Sequence, residues 1–268
     1  MKHVIEGGGK VLYLTPLRAL ASEKFEDFKK YTKVKKGSGQ RIRVAISTGD
    51  YDSSDSWLSG FDIIITTNEK CDSLTRHRSD WIRDVSLLVA DEVHTLIDPE
   101  RGPTLEVTMT RLMETNPRAQ VLALSATISN AGEIAEWIRA KSITTEWRPV
   151  RLVEGVYLDG ECQFNDGNST KIRGEDKNPA INLALHTVRN GGQALIFADT
   201  RRRAVDYAKR AGNSIEKTLS KTETRVLENI AGEVVRSGER TRLSDLLAEL
   251  VKNGVAFHHA GLAAPHRK

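Results

Sequence analysis

Short apolar runs alternate with amphipathic stretches from the first residues of the chain onward. Short apolar runs are typical of strands buried in a parallel sheet, and amphipathic stretches between them are typical of helices that cover its faces. The pattern therefore predicts an α/β fold. The predicted strands are Lys10–Leu14, Arg41–Ser47, Ile63–Thr66, Leu87–Ala90, Gln120–Leu124, Val153–Leu158, Ala194–Phe197 and Val255–His258. The predicted helices are Leu17–Tyr31, Thr104–Glu114, Ala131–Arg139, Pro179–Arg189 and Arg202–Ala211.

Two features divide the chain. The stretch Asp159–Asn178 is polar and rich in glycine, which is typical of a surface hairpin or linker. We place a domain boundary just before it, near residues 145–150, so that residues 1–147 form one domain and residues 148–268 begin a second. Further on, Glu216–Leu250 has the pattern of a charged amphipathic helix with leucines on one face.

Composition narrows the class of protein. A hydrophobic content of 39% with 28% charged residues is ordinary for a soluble globular protein, and no run reaches the roughly 18 apolar residues that a membrane helix needs. Met1–Lys10 lacks the apolar segment of a secretory signal, so we expect a cytoplasmic protein. Cys71 and Cys162 lie far apart without CxxC spacing, which argues against a disulfide framework or a structural zinc site.

The charge of the chain is mildly positive. A net charge of +4 is compatible with a nucleic-acid partner but does not require one. The densest basic stretch, Lys29–Arg43, surrounds a Gly-Ser-Gly turn. We interpret it first as a solvated connector, and phosphate contact is the alternative.

Two acidic residues directly follow the predicted strand Leu87–Ala90. Ligands of open α/β sheets bind at the carboxyl ends of the strands, where adjacent carboxylates suit a nucleotide-bound Mg²⁺ and a water that must be deprotonated. On this interpretation Asp91 holds the metal through water and Glu92 is the general base. The alternative is a solvated strand end without a function.

A second polar segment follows the strand Gln120–Leu124. The hydroxyl groups of Ser125 and Thr127 can exchange hydrogen bonds with nearby carboxylates and with His94, so they are candidates for sensing the state of a nucleotide. The alternative is a helix N-cap before Ala131–Arg139. The two roles are compatible.

Together these segments resemble known helicase motifs. Asp91-Glu92-Val93-His94 resembles motif II of the superfamily 2 helicases, and Ser125-Ala126-Thr127 resembles their motif III. Further segments resemble motif Ia, the strand-contacting motif that follows it, motif IV and a signature of the Ski-like branch, in the order Leu14–Ala21, Thr66–Lys70, Phe197–Arg201 and His258–Leu262. Arg101–Glu106 and Trp147–Val150 resemble the archaeal Hjm-type (Holliday-junction-migrating) DNA repair helicases of that branch.

The resemblance, which extends over almost the whole chain, implies tandem RecA-like parallel-sheet motor domains, both incomplete. It implies ATP and Mg²⁺ as cofactors, and 3′-to-5′ movement on single-stranded and forked DNA in repair or replication restart. It also implies a nucleoid-associated monomer without membrane contact, with replication or recombination proteins as candidate partners. The implied catalytic residues are Asp91, Glu92, His94, Ser125 and Thr127, of which Asp91 and Glu92 also bind the nucleotide and Asp91 the Mg²⁺. The implied DNA-binding residues are Thr15, Pro16, Arg18, Thr66, Thr67, Glu69, Thr200, Arg201 and His259. For Arg18 an exposed helix charge is the alternative.

The resemblance has one gap at each end. No GxxxxGK[ST] phosphate-binding loop is present, because Lys10 is followed by Val11 and Val4 stands where the first glycine would fall. We therefore predict that Lys10 is a connector residue. The family's motifs V and VI would follow Lys268. We expect a fragment of a longer helicase that by itself hydrolyses little or no ATP.

Three other functions are consistent with parts of the sequence. An RNA helicase of the Ski-like branch would share the same motor motifs. A remnant that binds nucleic acid or a partner without catalysis would keep the fold. A metal-dependent nuclease using Asp91, Glu92 and His94 is disfavoured, because three near-consecutive residues do not easily surround one metal. A metal pair of His258 and His259 is disfavoured too, since neighbours on a strand point to opposite faces.

Overall fold

The computed structural model describes Met1 and residues 5–49, 55–126, 128–145 and 147–267. The chain divides into two compact units, Met1–Glu146 (unit 1) and Trp147–Lys268 (unit 2).

Unit 1 contains a five-stranded parallel sheet. Its strands are β1 (Lys10–Thr15), β2 (Val44–Ser47), β3 (Ile63–Thr67), β4 (Val85–Ala90) and β5 (Gln120–Ala123). Their order across the sheet is β2-β3-β1-β4-β5. β1, β3 and β4 are almost wholly buried and carry continuous apolar runs, as strands covered on both faces do. The α/β fold class is confirmed.

Helices cover both faces of this sheet. They are α1 (Arg18–Lys29), α2 (Asn68–Arg76), α3 (Gly102–Thr115) and α4 (Ala131–Trp137). Short 3₁₀ turns connect them, including Val93–Ile97 directly after the acidic pair. Successive residues of a strand face opposite sides, so β1 contributes Leu12 and Leu14 to one core and Val11 and Tyr13 to the other.

Two lysines have structural positions in unit 1. The Lys10 ammonium donates to the carbonyl oxygens of Ser59 (2.6 Å) and Phe61 (2.8 Å), and burial lowers its pKa. Lys10 begins β1, at the edge of the sheet opposite the carboxyl ends, which agrees with its prediction as a connector. Lys70 of α2 is 1% exposed and forms an ion pair with Asp55 at 3.2 Å.

Unit 2 combines a small antiparallel sheet with helices. β6 (Gly155–Leu158), β7 (Glu161–Phe164) and β8 (Ser169–Lys171) form the sheet, in agreement with the predicted hairpin. The helices are α5 (Pro179–Arg189), α6 (Arg201–Ile215), α7 (Lys221–Arg236) and α8 (Arg242–Lys252). Two apolar clusters hold them, one among α6, α7 and α8 and one between α5 and α6.

Some predicted elements of unit 2 are wrong. The segments Ala194–Phe197 and Val255–His258 form no strand, and no parallel sheet occurs among the described residues of unit 2. An isolated strand has no hydrogen-bonding partner, and the side chains of Leu195 and Phe197 are 80% and 89% exposed. The long helix predicted over Glu216–Leu250 is interrupted between α7 and α8, where Thr241 and Ser244 form a new capping box.

Across the described ranges, no helix is both long and apolar enough to cross a membrane.

Candidate functional site

The carboxyl ends of four strands meet at one edge of the unit 1 sheet. Leu14 of β1 pairs with Thr66 of β3 and with Ala90 of β4, and Ala90 pairs in turn with Ala123 of β5. The polar segments that follow these strands therefore lie side by side. The sheet brings together the predicted motifs Ia, II and III and the motif that begins at Thr66.

Asp91 is held by backbone and side-chain hydrogen bonds. Its amide donates to the Leu14 carbonyl at 2.9 Å. The Tyr13 hydroxyl donates to Asp91 Oδ2 at 2.7 Å, and the Glu92 amide donates to Asp91 Oδ1 at 3.0 Å. Burial, followed by this bond to Asp91, raises the pKa of Tyr13 and keeps its proton in place as the donor. The carboxylate is thus fixed while lone pairs on both oxygens stay available.

Glu92 adopts a strained backbone conformation. Its φ of 55° lies in the left-handed region, which costs a non-glycine residue about 1–2 kcal/mol. Such outliers cluster at functional sites, where the surrounding structure maintains them. Here hydrogen bonds between Val93 N and Leu124 O (2.9 Å) and between Leu124 N and Ala90 O (2.8 Å) fix both neighbours of the acidic pair. The Glu92 side chain is 40% exposed and can reach a ligand at this edge.

His94 connects the acidic segment to the segment after β5. Its Nδ1 lies 3.2 Å from Glu92 Oε2 and 3.5 Å from the Ala126 amide nitrogen. Protonated, Nδ1 donates to Glu92. Unprotonated, it accepts from Ala126. Because one nitrogen cannot do both at once, the proton position on His94 is coupled to the contact between the two segments.

The second segment lies beside His94 through its backbone. Contact with His94 comes from the Ala126 backbone and not from the exposed Ser125 side chain. Thr127 lies outside the described residues. The N-cap of α4 is Asn130, so the interpretation of Ser125 as that cap is wrong.

The predicted DNA-contacting residues of unit 1 differ in exposure. Thr15, Thr66 and Thr67 are buried, and Pro16 is buried beside them. The Thr15 hydroxyl donates to Leu17 O at 3.1 Å, the Thr66 hydroxyl donates to Thr67 O at 3.3 Å, and the Thr67 hydroxyl accepts from Lys70 N at 3.3 Å as the N-cap of α2. Arg18 is exposed at the start of α1 and Glu69 is half-buried in the first turn of α2.

The predicted residues of unit 2 also lie together. Thr200 is the N-cap of α6 and accepts from Arg203 N at 3.2 Å. Arg201 is exposed, and its Nη1 lies 3.8 Å from where a Cβ on Gly261 would stand. His259 stacks on Phe257 with ring centroids 5.3 Å apart, and its Nδ1 accepts from Gly261 N at 3.0 Å. Arg201 therefore lies against the turn that His259 shapes.

Sequence reasoning missed Tyr13 and the Ala126 amide. Tyr13 occupies an apolar position of the strand pattern and lies on the same face of β1 as Val11. The register between β1 and β4 brings its hydroxyl to Asp91. Strand register is known only from the structure, so the sequence carried no signal for this contact. The Ala126 amide carries no side-chain signal at all.

The oxygen donors at this edge fit a hard cation. Carboxylates and hydroxyls are the ligands that Mg²⁺ accepts, usually with several waters retained. Asp91 offers a fixed carboxylate for that purpose, and Glu92 stands next to it. Among the residues that the structure describes, no cluster of three His, Cys, Asp or Glu side chains could hold a metal by itself.

The parallel sheet, the acidic pair at its carboxyl edge and the histidine beside it are features that the resemblance to the superfamily 2 helicases predicts. The family profile described as DEAD/DEAH box helicase matches residues 1–134. The chain belongs to the DEAD/DEAH box helicase family.

Curated relatives extend the similarity to the whole chain. The chain is 43% identical over 269 residues to the "ATP-dependent DNA helicase Hel308" of Methanocella arvoryzae, covering 100% of this chain and 36% of the relative. The proteins of that name from Methanocaldococcus jannaschii (43% over 275 residues, 100% of this chain, 22% of the relative) and Thermococcus kodakarensis (45% over 264 residues, 98% and 22%) are similar too. The chain thus spans between about a fifth and a third of these relatives' length.

Proposed function

We propose that this chain forms part of the motor of an ATP-dependent DNA helicase of the Hel308 type. The observation that carries the proposal is the strained Glu92 beside the fixed carboxylate of Asp91 at the carboxyl edge of a parallel sheet. The names of the relatives support ATP as the fuel and DNA as the substrate. We also propose Mg²⁺ as the metal, a working monomer and a location at the cytoplasmic nucleoid, as the family resemblance implies.

The acidic edge suits hydrolysis of a phosphoanhydride. Mg²⁺, when bound with ATP, neutralises the charge that develops on the phosphates. Asp91, whose carboxylate is fixed by Tyr13 and by the Glu92 amide, would hold the water molecules around the Mg²⁺. Glu92 would accept a proton from the attacking water. His94 and Ser125 would transmit the state of this site, with Thr127 as a further candidate.

A DNA strand would run over the starts of α1 and α2 in unit 1. Arg18 is exposed there, and the free amides of a helix start bind phosphate without reading the sequence. Thr15, Pro16, Thr66 and Thr67 lie buried directly beneath and would shape this surface more than touch the strand, while Glu69 is half-buried at its border. Thr200, Arg201 and His259 are the corresponding candidates in unit 2.

These 268 residues contain no GxxxxGK[ST] segment, and the proposed ATPase needs such a loop to hold the phosphates. The edge strand β5 has partly exposed Leu122 (44%) and Leu124 (39%), and a groove of about 970 Å³ lies beside it. We propose that a further strand carrying the loop pairs with β5, which would place the loop next to Asp91. Because the loop is missing, we expect little or no ATP hydrolysis by the 268-residue chain alone. Turnover by this chain that Glu92→Gln abolished would contradict this expectation.

A chimera tests the function as a whole. This chain would replace the aligned 269-residue segment of the Methanocella arvoryzae relative. We expect the chimera to unwind forked DNA in the 3′-to-5′ direction with ATP and to leave the matching RNA fork paired. Unwinding of the RNA fork alone would favour an RNA helicase. Binding of forked DNA without unwinding, when the unaltered relative does unwind it, would favour a non-catalytic role for this segment.

Tyr13→Phe in the chimera tests the support of Asp91. Loss of the 2.7 Å hydrogen bond frees the carboxylate to rotate, while the ring and its contact with Phe28 remain. We expect the Mg²⁺ concentration for half-maximal ATP hydrolysis to rise several-fold, with a smaller change in kcat at saturating Mg²⁺. Tyr31→Phe, which alters an aromatic neighbour of the same cluster, is the control. An unchanged Mg²⁺ dependence would show that Tyr13 does not position Asp91.

A further inference from the structure

The positive charge of this protein is concentrated in one short segment. Residues 29–43 contain seven basic and no acidic side chains. The whole chain has 40 basic and 36 acidic residues, so the remainder, with 33 basic residues, is slightly acidic. The net charge of +4 therefore arises from this segment and not from a diffuse excess.

Part of the segment forms a well-defined hairpin, which we call the basic hairpin (Lys33–Ile42). Lys35 and Arg41 form an antiparallel bridge. Hydrogen bonds join Ile42 N to Val34 O (3.1 Å) and Lys36 N to Gln40 O (2.7 Å). At the tip Gly39 has a φ of 81°, a conformation that favours glycine.

The hairpin is anchored to the body of unit 1. The Lys36 ammonium forms an ion pair with Asp62 at 2.7 Å, and the Arg43 amide donates to the other oxygen of that carboxylate at 2.8 Å. Val34 and Ile42 pack into the core that covers one face of the sheet. These contacts fix the base of the hairpin on unit 1, so the charged side chains near its tip extend from a rigid backbone.

Three basic side chains of the hairpin have no ion-pair partner in the part of the chain that the structure describes. Lys33, Lys35 and Arg41 are exposed, and no acidic group among the described residues forms an ion pair with any of them. Lys35 and Arg41 are cross-strand partners, and like charges in that position destabilise a hairpin. A purely structural connector gains nothing from this arrangement, whereas an anionic ligand would relieve the repulsion.

The position of the hairpin separates it from the predicted site. It leads into β2 at the amino edge of the parallel sheet, whereas Asp91 and Arg18 follow carboxyl ends. β1 spans six residues, so the two edges are about 20 Å apart. Along a DNA helix this distance corresponds to about six base pairs.

We propose that the basic hairpin binds the sugar-phosphate backbone of DNA, at a second place on unit 1 distinct from the surface at the starts of α1 and α2. The inference rests on the proposed DNA helicase function and adds a contact that the helicase motifs do not include. Lys33, Lys35 and Arg41 are the contacting residues. The small tip, Gly37-Ser38-Gly39, allows close approach to a groove or to a single strand, and the binding is independent of sequence.

The test measures the salt dependence of DNA binding by the 268-residue chain. Fluorescence anisotropy gives the Kd for a labelled single strand and for a labelled blunt duplex over a series of salt concentrations. The variant carries Lys33→Gln, Lys35→Gln and Arg41→Gln. The matched control carries Lys217→Gln, Lys221→Gln and Arg225→Gln, three exposed basic residues of unit 2 with no ion pair among the described residues.

We expect the hairpin variant to lower the slope of log Kd against log salt by about 2 to 3, since each phosphate contact contributes about 0.7–0.9. The control should leave the slope unchanged. The arm with the larger loss, single strand or duplex, identifies the form of DNA that is bound. A double variant, Lys35→Gln with Arg41→Gln, should show about two thirds of the decrease in slope that the triple variant shows. Circular dichroism should show unchanged folding for all variants.

Other outcomes have separate meanings. Equal slopes in the wild type and the hairpin variant, with DNA binding retained, would overturn the hairpin proposal and leave the helicase function standing. Equal losses in the hairpin variant and the control would show a response to overall charge and would also overturn it. No DNA binding by the wild type on either arm would count against both proposals.

Discussion

Replacing Glu92 by glutamine in the chimera is expected to lower kcat for ATP hydrolysis by at least about 100-fold, the range in which a general base contributes. Glutamine keeps the size of the side chain and suits the same backbone, but it cannot accept the proton of the attacking water. The left-handed φ of 55° and the contact with His94 hold this side chain at the edge of the sheet. The measurement is steady-state phosphate release at saturating ATP, Mg²⁺ and DNA.

The control for this substitution is Glu23→Gln on the exposed face of α1, which should leave kcat unchanged. ATP binding should survive in Glu92→Gln, so that KM changes less than kcat. A Glu92→Gln chimera with the parent's kcat would show that another group deprotonates the water. The assignment of Glu92 as general base would then be wrong, even if the fold and family stand.

Gly102→Ala is expected to destabilise unit 1 by about 3 kcal/mol, at the upper end of the cost of overpacking. A Cβ on Gly102 would stand 2.2 Å from the carbonyl oxygen and 2.9 Å from the carbonyl carbon of Leu96. These are backbone atoms, so no rotamer change relieves the clash. Gly102 N also donates to Asp98 O at 2.8 Å, which closes the loop tightly.

Gly132→Ala is the matched control, because a Cβ there meets nothing within 4 Å and the residue lies in helix α4. Alanine in a helix is favoured over glycine by up to about 1 kcal/mol, so this variant should be neutral or slightly stabilised. Urea unfolding, followed by tryptophan fluorescence, compares the two. Equal free energies of unfolding for Gly102→Ala and the wild type would contradict the close approach. Since Leu96 belongs to the turn that carries His94, the same substitution should disturb the acidic edge.

The sheet of unit 1 could be predicted because its strands are buried on both faces. Continuous apolar runs such as Ile63–Ile65 and Leu87–Ala90 leave little alternative to a covered parallel strand. Helix α2 was not predicted, because Asn68–Arg76 is mostly polar and its N-cap, Thr67, also ends β3. One residue serving two elements gives no separate signal in the sequence.

Of the three strands predicted in unit 2, Val153–Leu158 is present as β6, and the other two are absent for a reason that a local sequence pattern does not reveal. Ala194–Phe197 and Val255–His258 have the composition of strands, but a strand exists only with a neighbour to bond with. Phe257 is buried against helices instead of a sheet, whereas Phe197 is 89% exposed. The apolar composition therefore predicted the burial of Phe257 correctly, although helices bury it. For Phe197 it predicted a neighbouring strand, and none is present among the described residues.

The candidate site was predictable as far as side-chain chemistry reveals it. The Asp91-Glu92 pair after an apolar strand and the later Ser125 segment predicted one edge, and the parallel register joins them. What could not be predicted depends on tertiary distances. The Tyr13 bond to Asp91 spans 78 residues of sequence and the Ala126 bond to His94 spans 32. The domain boundary and the DNA-binding roles stay predictions.

We propose that this chain carries the residues that hydrolyse ATP in a DNA-stimulated ATPase. Its most direct test is the rate of ATP hydrolysis by the chimera with and without single-stranded DNA. We expect turnover that DNA stimulates in the chimera, and little or no turnover by the 268-residue chain alone. A folded chimera whose rate, with DNA present, does not exceed that of its own Glu92→Gln variant would contradict it.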